Sequence, residues 1–134
     1  MAKIISLALI IGITGCTASV STPERIDLIG QWAIESIDDR PVIDRSPAYI
    51  EFTPEGQASG NASCNQFTGS YVLSGTDLSF SKMATTRKMC PPVLMEQETR
   101  FLAALQRVAK VQLQDGLLLL QNARNATVIK ASRR

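Results

Sequence analysis

The sequence predicts a mainly β (α+β) domain: a small antiparallel, partly open β-barrel or curved sheet of 7–8 strands with one covering α-helix. Two observations carry this. Short segments with apolar residues at alternate positions recur, with turn signals about every eight to twelve residues, and a single stretch switches to helical period. Composition agrees, since 134 residues at 45% hydrophobic and 19% charged suit one foldable core.

Ile26, Leu28, Gly30, Trp32 and Ile34 alternate with polar positions such as Asp27, Gln31 and Glu35, which predicts a half-buried strand over 26–34 with Trp32 in the core. Asp38-Asp39-Arg40-Pro41 breaks it. Ala48, Ile50 and Phe52 alternate next, and Pro54-Glu55-Gly56 turns the chain into a return strand over 57–62. Tyr71 and Leu73, then Leu78 and Phe80, flank Ser74-Gly75-Thr76-Asp77 as a hairpin. Short strands over 111–114 and 117–121 are joined by Asp115-Gly116, and a last strand covers 126–131. Residues 117–120, all leucine, have the length of a buried strand, not of a membrane span.

Between these lies the helix, about 17 residues long and opened by Pro91-Pro92. Leu94, Phe101, Leu105 and Val108 form its stripe, widened by Leu102 and Ala109. Glu96 and Glu98 fall near its start and Arg107 and Lys110 near its end, as the helix dipole favours.

The first residues decide the compartment. Lys3 supplies a positive start, residues 4–13 are apolar apart from Ser6 and Gly12, and Ile13-Thr14-Gly15-Cys16 follows. This end resembles the lipobox of bacterial lipoproteins, which implies cleavage before Cys16 and acylation of its thiol. The expected organisation is a signal peptide over 1–15, a lipidated cysteine with a flexible tether over 16–25, and one domain over 26–132. In Gram-negative lipoproteins an aspartate after the cysteine retains the protein in the inner membrane. Thr17 stands there instead, so the resemblance implies an outer-membrane lipid anchor with the domain facing the periplasm.

Charge and composition exclude several functions. With 14 basic and 12 acidic residues, no cationic stripe for nucleic acid is expected. Histidine is absent, which removes Ser-His-Asp triads and His-ligated zinc. No metal or other cofactor is expected. Once Cys16 is lipidated, Cys64 and Cys90 remain, and an exported pair without a spare is most simply a disulfide. Free thiols are the rival reading, with Arg87 and Lys88 placed to acidify Cys90.

The residues 60–71, Gly60-Asn61-Ala62-Ser63-Cys64-Asn65-Gln66-Phe67-Thr68-Gly69-Ser70-Tyr71, resemble the G-x-x-x-C-N-x-F-x-G-x-Y core of the META/HslJ family. Met89-Cys90-Pro91 resembles that family's second cysteine motif, Met95-Glu96-Gln97-Glu98 with Phe101 and Leu105 its helix signature, and Leu28-Ile29-Gly30-Gln31-Trp32 its opening strand. One departure is Ser63, where many members carry glycine. Physically the motif reads as architecture rather than a binding site. Gly60 and Gly69 bracket a turn, Asn65 suits an Asx-type turn, and Phe67 and Tyr71 offer core faces. The resemblance implies a compact domain of envelope lipoproteins, some linked to heat shock or novobiocin resistance, without settled catalytic residues.

Three other signals are declined. Ser79-Phe80-Ser81-Lys82 matches S-x-x-K, but on a strand those two side chains face opposite sides. Asp38-Asp39 reads as a solvated turn, and Arg133-Arg134 as a solvated tail. The expected function is therefore a non-enzymatic outer-membrane lipoprotein with a binding or structural role in envelope integrity or stress tolerance. Its expected partners are the membrane, through the lipid anchor, and an envelope protein or apolar ligand. The alternative is a protein-binding module resembling lysozyme inhibitors or secretin pilots. An enzyme ranks third, because no nucleophile has a base beside it.

Overall fold

The structure is a computed structural model that describes residues 9–19 and 25–134. Residues 1–8 of the expected leader, Lys3 among them, and residues 20–24 of the expected tether lie outside the described residues. Residues 9–19 carry no helix or strand and are exposed, Cys16 included.

Strand β1 (Gly30–Ile37) starts four residues later than its alternation suggests. Leu28 is buried and Ile26 half-buried as expected, but the carbonyls before Gly30 are taken by side chains. Trp32 Nε1 donates to the Leu28 carbonyl at 2.8 Å, and the Arg133 guanidinium donates to the carbonyls of Ile29 and Asp27. A register shift between Ile34 and Ser36 then lets Ile34 and Ile37, three positions apart, both face the core.

Asp38 and Asp39 adopt positive φ and turn the chain into β2 (Arg40–Pro41). Strands β3 (Tyr49–Phe52) and β4 (Gln57–Asn61) pair antiparallel, as do β5 (Gln66–Ser74) and β6 (Asp77–Phe80). After β7 (Ala84–Thr85) comes the helix α1 (Pro92–Arg107). Strands β8 (Lys110–Gln114) and β9 (Leu117–Gln121) turn at Asp115-Gly116, both at positive φ, as the hairpin signal requires. Strand β10 (Thr127–Arg133) ends the fold.

Among the described residues, ten strands exceed the seven or eight expected because β2 and β7 are two residues long, too short to show a period. The other eight run as a ring, β1-β3-β4-β5-β6-β8-β9-β10, closed by antiparallel pairing of β10 with β1. The ring is thinnest between β6 and β8, where Asp77 and Lys110 form the one paired position.

The core fills the ring with Trp32, Ile50, Phe52, Leu78, Leu118 and Leu120, and α1 closes over it with Phe101, Ala104 and Leu105. Leu117 and Leu119 are half-buried, so the leucine run is apolar on both faces of one strand. Phe67 meets Phe101 at a ring separation of 5.5 Å, and Phe52 meets Tyr71 edge-on at 5.0 Å. Burying a side chain such as Phe101 stabilises the fold by about 1.5–3 kcal/mol.

Helix charges need correction. The helix starts at Pro92, so Glu96 and Glu98 lie beyond its first turn and Lys110 belongs to β8; of the expected charges only Arg107 sits in a terminal turn. Glu96 instead pairs with Arg40 at 3.4 Å and Arg100 at 3.0 Å on the surface. Arg107 holds Asp38 at 2.7 Å, so that aspartate is paired rather than simply solvated.

The C-terminal arginines are not a free tail. The Arg133 guanidinium stacks 4.3 Å from the centre of the Trp32 ring and reaches Asp27, and Arg134 stacks 5.0 Å from the Tyr49 ring. Position 133 faces Trp32 across the β1–β10 pairing, which puts the cation over the ring.

Candidate functional site

The turn between β4 and β5 carries the cysteine motif and is buried: Ser63 and Asn65 are each 3% exposed. It is built tightly. A Cβ on Gly60, which sits at φ +155, would come within 2.1 Å of the Tyr49 carbonyl oxygen, so only glycine lets β3 and β4 pair there. Gly69 leaves room for the Met83 and Ser81 side chains instead. Ser63 stands at φ +123, a region that favours glycine, and its amide donates to Asn61 Oδ1 at 2.8 Å. Asn61, not Asn65, therefore makes the Asx-type bond.

Asn65 reaches outward from the turn. Its Oδ1 accepts from the Lys88 amide at 2.6 Å and from Thr86 Oγ1 at 3.0 Å. Its Nδ2 donates to Glu98 Oε2 at 2.9 Å and to the Lys88 carbonyl at 3.3 Å. All four bonds open to an asparagine side chain are made internally. The Asn65 amide also donates to Glu98 Oε1 at 2.6 Å, so one backbone and one side-chain donor hold the buried carboxylate.

Gln97, wholly buried, does the same from the helix position before Glu98. Its Oε1 accepts from the Ile43 amide at 2.9 Å, and its Nε2 donates to Ser46 Oγ at 2.8 Å and Ser63 Oγ at 3.1 Å. The disulfide Cys64–Cys90, with Cα atoms 5.9 Å apart, ties the turn to Pro91, whose carbonyl accepts from the Leu94 and Met95 amides at the start of α1. Turn, helix and the segment over 86–90 thus form one clasp.

The predicted motif residues Gly60, Cys64, Asn65, Cys90, Pro91 and Glu98 meet in or beside this clasp. Phe67, Phe101 and Leu105 lie beneath it in the core, while Glu96, Gly69 and Tyr71 lie apart. Tyr71 is half-buried, and its hydroxyl donates to the Thr53 carbonyl at 2.6 Å. Reading by residue type missed the roles of Gln97, Thr86 and Lys88. Gln97 left a signal in retrospect, a polar residue on the inward stripe four positions before Phe101. Ser79 and Lys82 line different shallow grooves, of about 290 and 300 Å³, so the S-x-x-K pair does not converge. Among the described residues, no group of three His, Cys, Asp or Glu is placed to hold a metal ion.

Burial first, and the Glu55 carboxylate second, push the Tyr71 phenol above its ordinary range. The folded state then holds this proton more tightly than the unfolded chain does. Its stabilising effect is complete below about pH 10 and is lost as pH rises through the folded value. Denaturant unfolding in the alkaline range is expected to show a fall in stability that Tyr71→Phe diminishes. An identical alkaline fall in that variant would rule Tyr71 out as its source.

The META domain family model matches residues 27–134, from the segment before β1 to the end of β10. The chain belongs to the META domain family. Heat shock protein HslJ of Escherichia coli (strain K12) is 30% identical over 97% of this chain and 94% of its own length. The META fold recurs in an NMR structure 32% identical to this chain, with a TM-score of 0.61 over 83% of this chain and 94% of that one. A protein from Burkholderia xenovorans, also solved by NMR, is 22% identical with a TM-score of 0.64, covering 90% of this chain and 97% of its own. The clasp is thus the place where the cysteine and helix motifs of this META domain come together.

Proposed function

We propose that this META domain is a non-enzymatic, lipid-anchored module of the outer membrane, facing the periplasm and acting in envelope integrity or stress tolerance through binding. The observation that carries the reading is the setting of Ile13-Thr14-Gly15-Cys16. That sequence ends in an exposed cysteine outside a domain whose core, among the described residues, lies between Ile26 and Ala131. Cleavage and acylation at Cys16 would leave the fold untouched. Several acyl chains at roughly 0.8 kcal/mol per buried methylene anchor such a protein stably.

Two further points support the remainder. The most buried polar groups of the motif are engaged by one another, as befits a scaffold rather than a reaction centre. A relative alike over nearly its whole length bears the name of a heat shock protein, which supports a stress role.

Mass spectrometry of the protein from its own envelope is expected to find a mature chain that begins with acylated Cys16, and Cys16→Ser is expected to abolish acylation. Growth after heat or antibiotic challenge should fall in cells lacking the protein and recover with the wild-type chain, not with Cys16→Ser. Normal acylation in Cys16→Ser removes the anchor reading; full rescue by that variant removes the need for anchoring.

A further inference from the structure

The clasp holds a strap, and the strap displays something. Residues 81–90 run back along α1, from Ser81, whose carbonyl accepts from Gln106 Nε2, to Cys90 at the helix start. The strap's backbone is fixed from below, since the Lys88 amide and carbonyl both bond Asn65 and the Thr86 amide bonds the Gln66 carbonyl. Its outward side chains are another matter. Arg87 and Lys88 are exposed and make no ion pair among the described residues, and Met89 beside them is 88% exposed. Val93, on the first turn of α1, adds a second apolar side chain at 53% exposure.

The charge along this stretch of chain has one sign. No acidic residue occurs between Asp77 and Glu96, while Lys82, Arg87 and Lys88 all fall there. The nearby helix carboxylates are turned elsewhere: Glu96 faces Arg40 and Arg100, and Glu98 is buried against Asn65. An exposed methionine flanked by unpaired cations, on a backbone held by a disulfide and the buried Asn65 side chain, is a preorganised amphipathic surface.

We propose that the strap docks on an anionic lipid surface, with Arg87 and Lys88 meeting headgroup phosphates and Met89 and Val93 entering the headgroup–acyl boundary. This deepens the reading of the chain as a lipid-anchored protein and rests on it for location. The geometry allows it. The ten chain steps from Cys16 to Ile26 reach at most roughly 33–36 Å when extended. A domain of this size has a radius of gyration of about 13 Å, hence a diameter near 34 Å, so the tether can bring all but the face opposite its attachment to the bilayer. Lipid is favoured over an acidic protein because the apolar side chains protrude beside the cations, as insertion into a soft interface requires.

The test uses the acyl-free chain beginning at Thr17, which retains every core residue, and vesicles of phosphatidylcholine with or without phosphatidylglycerol. Partition onto the mixed vesicles should exceed that onto phosphatidylcholine at least about ten-fold and weaken with added salt. Arg87→Gln and Lys88→Gln should each reduce it roughly five-fold, and Met89→Ser roughly ten-fold. Arg124→Gln removes one exposed charge away from the strap and should leave partition unchanged. All four side chains are exposed, so the variants should melt with the parent. Equal partition on both vesicles, or a loss with Arg124→Gln as large as with Lys88→Gln, overturns the proposal. So does capture of an acidic envelope protein by the strap without partition onto mixed vesicles. Acylation of Cys16 is read separately by mass, so failure of the anchor and failure of the strap give different results.

Discussion

Asn65→Ala is expected to cost about 3–5 kcal/mol of stability, the usual range when one partner of a buried charged group is removed. The side chain's four internal bonds are lost together, and among the described residues the Glu98 carboxylate keeps only the Asn65 amide as a donor. For a domain of roughly 100 residues this corresponds to a fall in Tm of at least about 12 °C. Glu98→Ala strands the Asn65 amide and leaves Nδ2 with its bond to the Lys88 carbonyl, and should also be severe. Combining the two should cost much less than their sum, because each already breaks the same contact. Hydrogen exchange adds a local readout: the Lys88 amide, bonded to Asn65 Oδ1 at 2.6 Å, should exchange faster in Asn65→Ala even under conditions where the core stays protected. A change in stability below about 0.5 kcal/mol, a size typical of plain surface positions, would mean that the clasp does not hold the carboxylate.

Removing the disulfide is the second large effect. Cys64→Ala with Cys90→Ala releases a closed loop of about 27 residues, for which chain entropy gives about 3.5 kcal/mol, within the 2–5 kcal/mol usual for small exported domains. The strap and the first turn of α1 would then be held to the β4–β5 turn chiefly by Asn65, Glu98 and Gln97. Adding Asn65→Ala to the cysteine pair should therefore unfold the domain at ordinary temperature, whereas each alone leaves a folded, less stable protein. Thermal unfolding with and without reductant checks the first part, and vesicle partition of the cysteine-free domain in the cold checks that the bond acts on stability. An unchanged melting curve with lost partition would make the cysteines functional rather than structural.

Much of the fold was legible from local pattern. Alternation at Trp32 and Ile34, at Ala48, Ile50 and Phe52, and in the hairpins around Gly75 and Asp115-Gly116 placed strands and turns close to where they stand. Those signals depend on near neighbours: period two puts alternate side chains on one face, and positive φ selects glycine or aspartate in tight turns. The motif also located the clasp, because Cys64, Asn65, Cys90 and Glu98 do gather there. What each polar residue does was not legible. Glu98 suited a helix start by its charge, and only the fold shows it buried beside its partner, 33 residues earlier.

By itself, then, the sequence determined the class of fold, the order of most elements, the pairing of the two cysteines as the simplest choice and membership of the family. Tertiary structure alone decided the closure of the ring by β10 on β1, the stacking of Arg133 on Trp32 some hundred residues away, and the burial of Gln97 and Glu98. The reason is one of range. Periodicity and turn chemistry record interactions within a few residues. A buried polar group or a ring-closing strand is stabilised by a partner distant in sequence, and that partner leaves no periodic trace in the residues beside it.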